Sequence, residues 1–214
     1  MSVVDPTLEL ERTLLAAGAS CVIGCDEVGR GALAGPVAVG FAVINSSVAP
    51  LPAGLRDSKL LSEPRRESLA PLAIAWALHS AIGLASPQEV DTLGIIASLG
   101  LAGKRALAQL HAAGVDIPGS VVLLDGNDDW LNKALSSPLA VITRVKADRD
   151  CGSVAAASVI AKVHRDRLMI EADAATPGYG WARNKGYGSA GHLSAIESLG
   201  ASELHRKSWL KISA

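Results

Sequence analysis

Four acids of this 214-residue chain stand where chemistry could be done: Asp26, Glu27, Asp125 and Asp148. Asp26 and Glu27 close an apolar run that begins at Cys21. Asp125 closes Val121–Leu124 just before Gly126, and Asp148 lies between the apolar run Val141–Val145 and a long Ala-rich segment. If those runs are strands of one α/β sheet whose ends face the same way, the carboxylates meet in the crevice beyond the strand ends. Carboxylates sharing a crevice repel one another unless cations join them. Hard oxygen ligands suit Mg²⁺ or Mn²⁺, and a pair of such ions can activate water and stabilise a leaving oxygen in phosphodiester cleavage. Taken singly, each acid is equally at home as a turn or cap residue, since Asp-Gly is a common turn pair. Neighbouring side chains on a regular strand point to opposite faces, so Asp26 and Glu27 are expected to share a site only if the strand ends there.

The turn that follows, Gly29-Arg30-Gly31, carries a second kind of chemistry. With Ala32, Leu33 and Ala34 it matches a loose dinucleotide fingerprint, but that motif must open a helix and Pro36 with a β-rich run comes next. The glycines are better read as allowing close backbone approach to a ligand, with Arg30 nearby for a phosphate. Cys21 and Cys25 lie about 13 Å apart if extended, too far to clip one zinc ion, so the three cysteines read as small buried residues in a reducing compartment.

Positioning these groups requires the following elements. Thr7–Ala17 has helical spacing and stops at Gly18. Cys21–Asp26 and Pro36–Ile44 read as strands. Ser62 before Pro64 opens a helix expected to reach Leu78, followed by an apolar segment through Leu84. Ser86-Pro87 opens a short helix, and Ile95–Ala113 is an Ala/Leu-rich one closed by Gly114. Val121–Leu124 and Val141–Val145 are buried strands. Asp150–Ala172 is the longest helix, with small residues at Ala155, Ala156, Ala157, Ser158 and Ala161 that permit close packing. Residues 176–191, rich in Gly and basic side chains, read as an ordered functional loop. Strands early and helices interleaved later indicate an α/β fold with a mixed sheet flanked by helices. One integrated domain is expected, with a core over 1–175 and an extension over 176–214.

Composition narrows the class. At 49% hydrophobic and 19% charged residues the chain can bury a core, which excludes overall disorder. The most apolar stretch, Leu69–Leu84, is broken by Pro71 and His79 and is too short to span a bilayer. The N-terminus has no basic region before an apolar run, so no secretory signal is read and a cytoplasmic protein is expected. The net charge of −1 conceals an acidic part and a basic one: residues 1–140 carry 9 basic and 14 acidic side chains (−5), residues 141–214 carry 11 and 7 (+4). That balance permits a phosphate-binding face.

The blocks CDEVGRGALAGPV (25–37), DSKLLSEPRRE (57–67), LLDGN (123–127), KADRDCGSVAAASVIAKVHRDRLM (146–169), NKGYGSAGHLSAI (184–196) and HRKSW (205–209) together resemble the ribonuclease HII family, in that family's order. The resemblance implies an RNase H-like fold with a C-terminal helical extension. It implies a metal-dependent endonuclease acting on RNA/DNA hybrids and on ribonucleotide-containing duplex DNA, with a role in ribonucleotide and primer removal. By the family pattern Asp26, Glu27, Asp125 and Asp148 are catalytic and hold two Mg²⁺ or Mn²⁺ ions. Asp26 and Asp125 would hold the ion that activates water; Glu27, with Asp148, would hold the one at the leaving 3′-oxygen. The Gly29-Arg30-Gly31 backbone would read the 2′-hydroxyl, and Tyr187 would stack at the ribonucleotide–deoxyribonucleotide junction. Ser58, Lys59, Lys146 and Lys185 are the candidates for substrate phosphates. Ser189 stands where Thr is usual and Trp209 where Phe is common, and both keep the chemical type. His192 and His205 read as structural, as do Trp76, Trp130 and Trp181, while Asp128 and Asp129 read as solvated loop charges. A monomer is expected. The rivals are a DNA-specific nuclease of the same fold, which should lack the GRG turn and the KGYG block, and an inactive hybrid-binding protein, which should lack an acid.

Overall fold

Pro36–Ile44 (PVAVGFAVI) is apolar without alternation, which is the pattern of a strand covered on both faces. In the computed structural model, which describes residues 5–210, it forms β2 (Val37–Ile44), buried along its whole length. Around it lies a five-stranded sheet in the order β3-β2-β1-β4-β5, with β1 at Val22–Val28, β3 at His79–Ala85, β4 at Val121–Asp125 and β5 at Ala140–Arg144. β1 to β3 form an antiparallel meander, whereas β4 runs parallel to β1 and β5 parallel to β4.

Eight helices occur among the described residues: α1 (Glu9–Ala16), α2 (Glu63–Trp76), α3 (Pro87–Leu93), α4 (Ile95–Ala112), α5 (Ala147–Asp150), α6 (Gly152–Ala175), α7 (Trp181–Asn184) and α8 (Ala190–Leu199). One sheet face packs on α4, joining Ile23, Cys25, Phe41 and Leu124 to Leu99, Ala102 and Leu110. The other is crossed by α6. Ala42 packs there among Ala156, Val159 and Ile160, and Val22, Ile44 and Leu123 pack with Val154. The small residues of α6 let it lie close: a β-carbon at Gly24 of β1 would overlap the backbone of Ser153. Residues after 176 gather Tyr179, Trp181 and Ile196 around Ala34 and Met169, so this segment is packed onto the β1–β2 connection and the end of α6.

Four readings change. The strand expected to be buried over 141–145 is the edge strand β5, with Ala140, Ile142 and Arg144 exposed. The apolar segment after α2 is a strand, β3, and α2 stops at Trp76 because His79 already pairs with Val43. The acidic strand does not end at Asp26: β1 continues to Val28, because Glu27 and Val28 still pair with Val39 and Ala38 of β2. Asp148 stands inside the one-turn helix α5, which Cys151 separates from α6. All three cysteines are buried and free. Among the described residues no helix is long and apolar enough to cross a membrane.

Candidate active site

Parallel pairing of β1 with β4 stops at Cys25–Leu124, while β1 runs on beside β2. Beyond that point the sheet is open on one side of β1. This opening lets Asp26 and Glu27 border one crevice although they project from opposite faces of the strand. A cleft of about 390 Å³ there is lined by Asp26, Glu27 and Asp125 together with Gly29, Arg30, Gly31, Ser58, Lys59 and Tyr187. Ser158 and Lys162 of α6 complete the wall.

The carboxylates are held at a disadvantage. Burial pushes the Asp26 carboxyl well above the usual range; the Lys59 charge opposes this, and Glu27 and Asp125 add to it. Glu27 is raised by burial, against the pull of Arg30, whose Nη1 lies 3.3 Å from Glu27 Oε1. Asp125 is raised by burial and then by the Asp148 charge, and its Oδ1 is buried without a hydrogen-bond partner. Besides Arg30, the compensation comes from one ammonium. Lys59 Nζ lies 3.0 Å from Asp148 Oδ2. Burial works against that charge, but Asp26, Asp148 and Asp57 keep Lys59 protonated well above the ordinary lysine range. Among the described residues no three His, Cys, Asp or Glu side chains converge closely enough to hold one ion as they stand. The donor set nonetheless fits a hard divalent cation: buried carboxylates from two adjacent strand ends, an orphaned oxygen and excess negative charge.

The glycine turn is held from behind. The two Nη atoms of Arg206 donate to the carbonyls of Gly29 (2.7 Å) and Arg30 (2.9 Å). The Gly29 amide donates to Tyr187 Oη at 3.2 Å. The amides of Arg30 and Gly31 make no hydrogen bond among the described residues, so they are the donors left to meet a ligand. The two glycines differ. Gly29 sits at φ +81 with Arg165 packed where a side chain would go, whereas a β-carbon at Gly31 meets no atom within 4 Å. Tyr187 is 37% exposed, with the Arg165 guanidinium 5.5 Å and the Lys162 ammonium 5.9 Å from its ring centroid.

The remaining expected contacts are placed unequally. Asp57 Oδ1 accepts from the Lys59 amide (2.8 Å), capping the short 3-10 turn that carries Ser58 and Lys59. The Ser58 hydroxyl is buried against Ser158 Oγ at 2.8 Å. Lys146 is exposed, in a left-handed conformation at the start of α5 and outside the cleft lining. Lys185 is not brought to the cleft either. It is 5% exposed, and its ammonium reaches Glu63 (3.3 Å) and the Ala182 carbonyl. Asp128 pairs with Lys133, and Asp129 accepts from the side chain and amide of Asn132, so both serve their own loop. Ser158 and Lys162 were missed by the sequence reading; their i, i+4 spacing on the helix after Asp148 was the available signal.

Comparison with known proteins places the chain in a family. The family model for ribonuclease HII matches residues 23–212. Ribonuclease HII of Streptomyces griseus is 46% identical over 213 residues, covering 98% of this chain and 86% of its own. Among solved structures, the PCNA:RNase HII complex from Archaeoglobus fulgidus contains a chain with a TM-score of 0.68 and 25% identity, covering 90% of this chain and 96% of its own. Bst-RNase HIII in complex with Mn²⁺ shares the fold at a TM-score of 0.66 and 22% identity, covering 92% of this chain and 68% of its own. With the family model matching nearly the whole chain and a curated relative 46% identical along 98% of it, this chain belongs to the ribonuclease HII family.

Proposed function

We propose that this ribonuclease H is a divalent-metal-dependent endonuclease. It would cut the RNA strand of RNA/DNA hybrids and the 5′ side of single ribonucleotides embedded in duplex DNA, leaving 3′-hydroxyl and 5′-phosphate ends. The observation that carries this reading is one cleft wall that holds Asp26, Glu27 and Asp125 next to the Gly29-Arg30-Gly31 turn and Tyr187. Asp26, Glu27, Asp125 and Asp148 would hold Mg²⁺ or Mn²⁺, which when bound supplies an activated water and charge stabilisation at the leaving oxygen. The unpaired amides of Arg30 and Gly31 would donate to a 2′-oxygen, the one backbone feature that separates RNA from DNA. The Tyr187 ring would pack on the next sugar, where a deoxyribose fits and a 2′-hydroxyl crowds. Residues 1–175 would form the catalytic unit and 176–214 its substrate-reading extension, working as a cytoplasmic monomer in ribonucleotide and primer removal.

The test uses three labelled duplexes: all DNA, DNA with one ribonucleotide, and a continuous RNA/DNA hybrid, each with Mg²⁺, Mn²⁺ or a chelator. Cleavage of the second and third only, abolished by the chelator, is expected. Cutting of the all-DNA duplex would favour a DNA nuclease, and binding without cutting an inactive hybrid binder.

Charge placement gives a separate expectation. An exposed lysine that neutralises one phosphate contributes about 0.9 to the slope of log K against log salt on a B-form duplex. Lys146→Ala is therefore expected to reduce the slope by about that amount, whereas Lys185→Ala leaves it unchanged because its ammonium is already paired inside the protein. Equal slopes for Lys146→Ala and the wild type would remove Lys146 from the phosphate contacts.

A further inference from the structure

The HRKSW block contains two buried side chains, His205 and Arg206, that line no part of the cleft. Their hydrogen bonds nevertheless lead to both halves of the expected ribonucleotide reader. Arg206 holds the Gly29 and Arg30 carbonyls, as described above. His205 leads to Tyr187 through a second histidine, and the partners assign every ring proton on the way. His205 Nδ1 faces the Ser202 amide at 2.9 Å, so it must accept and the proton must sit on Nε2. His205 Nε2 lies 3.1 Å from His192 Nε2. His192 Nδ1 faces the Tyr187 carbonyl at 2.9 Å, so it must donate. His192 Nε2 is therefore the acceptor, and Trp181 Nε1 donates to it as well, at 3.0 Å. The chain of donors runs one way, from Ser202 through His205 and His192 to the Tyr187 backbone.

We propose that His205 and His192 are positioning residues for Tyr187, setting the ring's place relative to the glycine turn that the neighbouring Arg206 holds. This rests on the reading of Tyr187 as the group that packs on the sugar beside the ribonucleotide. The geometry suits the task. Tyr187 is tied at its hydroxyl to Gly29 and at its carbonyl to His192, while His205 bridges backbone to backbone with Ala34 and the Arg206 amide donates to the Leu33 carbonyl. Ring and turn are thus referenced to the same two-residue segment. Burial lowers His192, and burial together with the His192 charge lowers His205 to about 4, so both rings stay neutral near pH 7, as the one-way chain requires.

The test compares His205→Asn with His205→Gln. Asn can replace the Nδ1 acceptor toward Ser202 but cannot reach His192; Gln can place a donor near the former Nε2 position. The readout is the ratio of kcat/KM on the single-ribonucleotide duplex to that on the continuous hybrid, whose next sugar already carries a 2′-hydroxyl and so gains nothing from the ring's fit. Loss of folded enzyme changes both numbers equally and leaves the ratio alone. The ratio is expected to fall about tenfold in His205→Asn, mostly through kcat, and to be largely restored in His205→Gln. In a Tyr187→Ala background His205→Asn should lower it no further. If Tyr187→Ala alone leaves the ratio at the wild-type value, the reading of Tyr187 fails and takes this proposal with it. If Tyr187→Ala lowers the ratio but His205→Asn does not, or does so equally in the double variant, the histidines only pack and the proposal is overturned. Should both His205 variants fail to fold, His192→Gln read by the same ratio decides, an unchanged ratio overturning the proposal.

Discussion

Asp125→Asn is expected to slow cleavage of both ribonucleotide substrates by about 100-fold or more, and at the same time to raise the melting temperature of the metal-free protein. The first effect follows from removing one charge from the carboxylate set that would hold the cations, a loss of at least about 3 kcal/mol of transition-state stabilisation. The second follows from the sign of the shift. The Asp125 carboxyl is raised by burial and by the Asp148 charge, so the folded state binds its proton more tightly than the unfolded chain does. Stability then falls as pH rises from the unfolded value toward the folded one, and the full penalty persists above it. At pH 7 to 8 the wild type carries that penalty and the neutral amide does not. The amide also removes the buried, unpartnered charged oxygen at Asp125 Oδ1. Added Mg²⁺ should stabilise the wild type more than the variant, by mass action on the folded state. Thermal melts with chelator and with Mg²⁺, alongside cleavage rates, check all three expectations. An Asp125→Asn protein that cuts within a few-fold of the wild type would remove Asp125 from the catalytic set. A variant that melts lower without metal would show that Asp125 is a structural acid.

Part of this site is legible in the sequence because Asp125 and Asp26 each close an apolar run. An apolar run ending in a carboxylate marks both the element and the place where the chain leaves the core, so Val121–Asp125 and the run into Asp26 declare themselves. What could not be read was how one side of β1 comes to be open. The strand continues past Glu27, paired with β2, while its pairing with β4 stops at Cys25, and that difference is a property of the sheet rather than of either segment. β3 was obscured for a related reason. HSAIGLA continues the apolar content of the preceding helix. Burial alternates along the strand, but the buried positions are Ala81, Gly83 and Ala85 and the half-buried ones include Ile82 and Leu84, so hydropathy shows no change of period. Lysines were the least legible. Lys59, Lys146 and Lys185 look alike in sequence, yet one faces Asp148, one is free in solvent and one is buried against Glu63. Their difference lies in tertiary neighbours contributed by other elements, which residue type alone does not encode. The support behind the glycine turn has the same origin: Arg206 meets Gly29 across 177 residues of chain.

The two glycines of that turn yield the remaining large effect, because a methyl group is expected to do opposite things at each. At Gly31 it enters open space, with nothing within 4 Å and no positive φ to strain, so Gly31→Ala should fold and melt within about 0.5 kcal/mol of the wild type. It would nevertheless stand beside the free amides of Arg30 and Gly31, where a sugar must approach to accept their protons. At Gly29 a methyl overlaps the guanidinium of Arg165 and demands a left-handed backbone, so Gly29→Ala should lose stability first. Activity loss without stability loss at Gly31 is therefore the signature of a turn that works by close approach. Tyr187 completes the argument from the other side of the cleft. Tyr187→Ala is expected to lose most activity on the single-ribonucleotide duplex while binding duplex DNA as before. Tyr187→Phe keeps the ring's packing but leaves the buried Gly29 amide without its acceptor, which costs about 1–3 kcal/mol and places it between Ala and the wild type. Cleavage rates on the two ribonucleotide substrates, with a melt for each variant, separate these cases. A Gly31→Ala enzyme that cuts the single-ribonucleotide duplex at the wild-type rate would mean that the substrate sugar does not come close to this turn, and that its free amides serve something other than the 2′-hydroxyl.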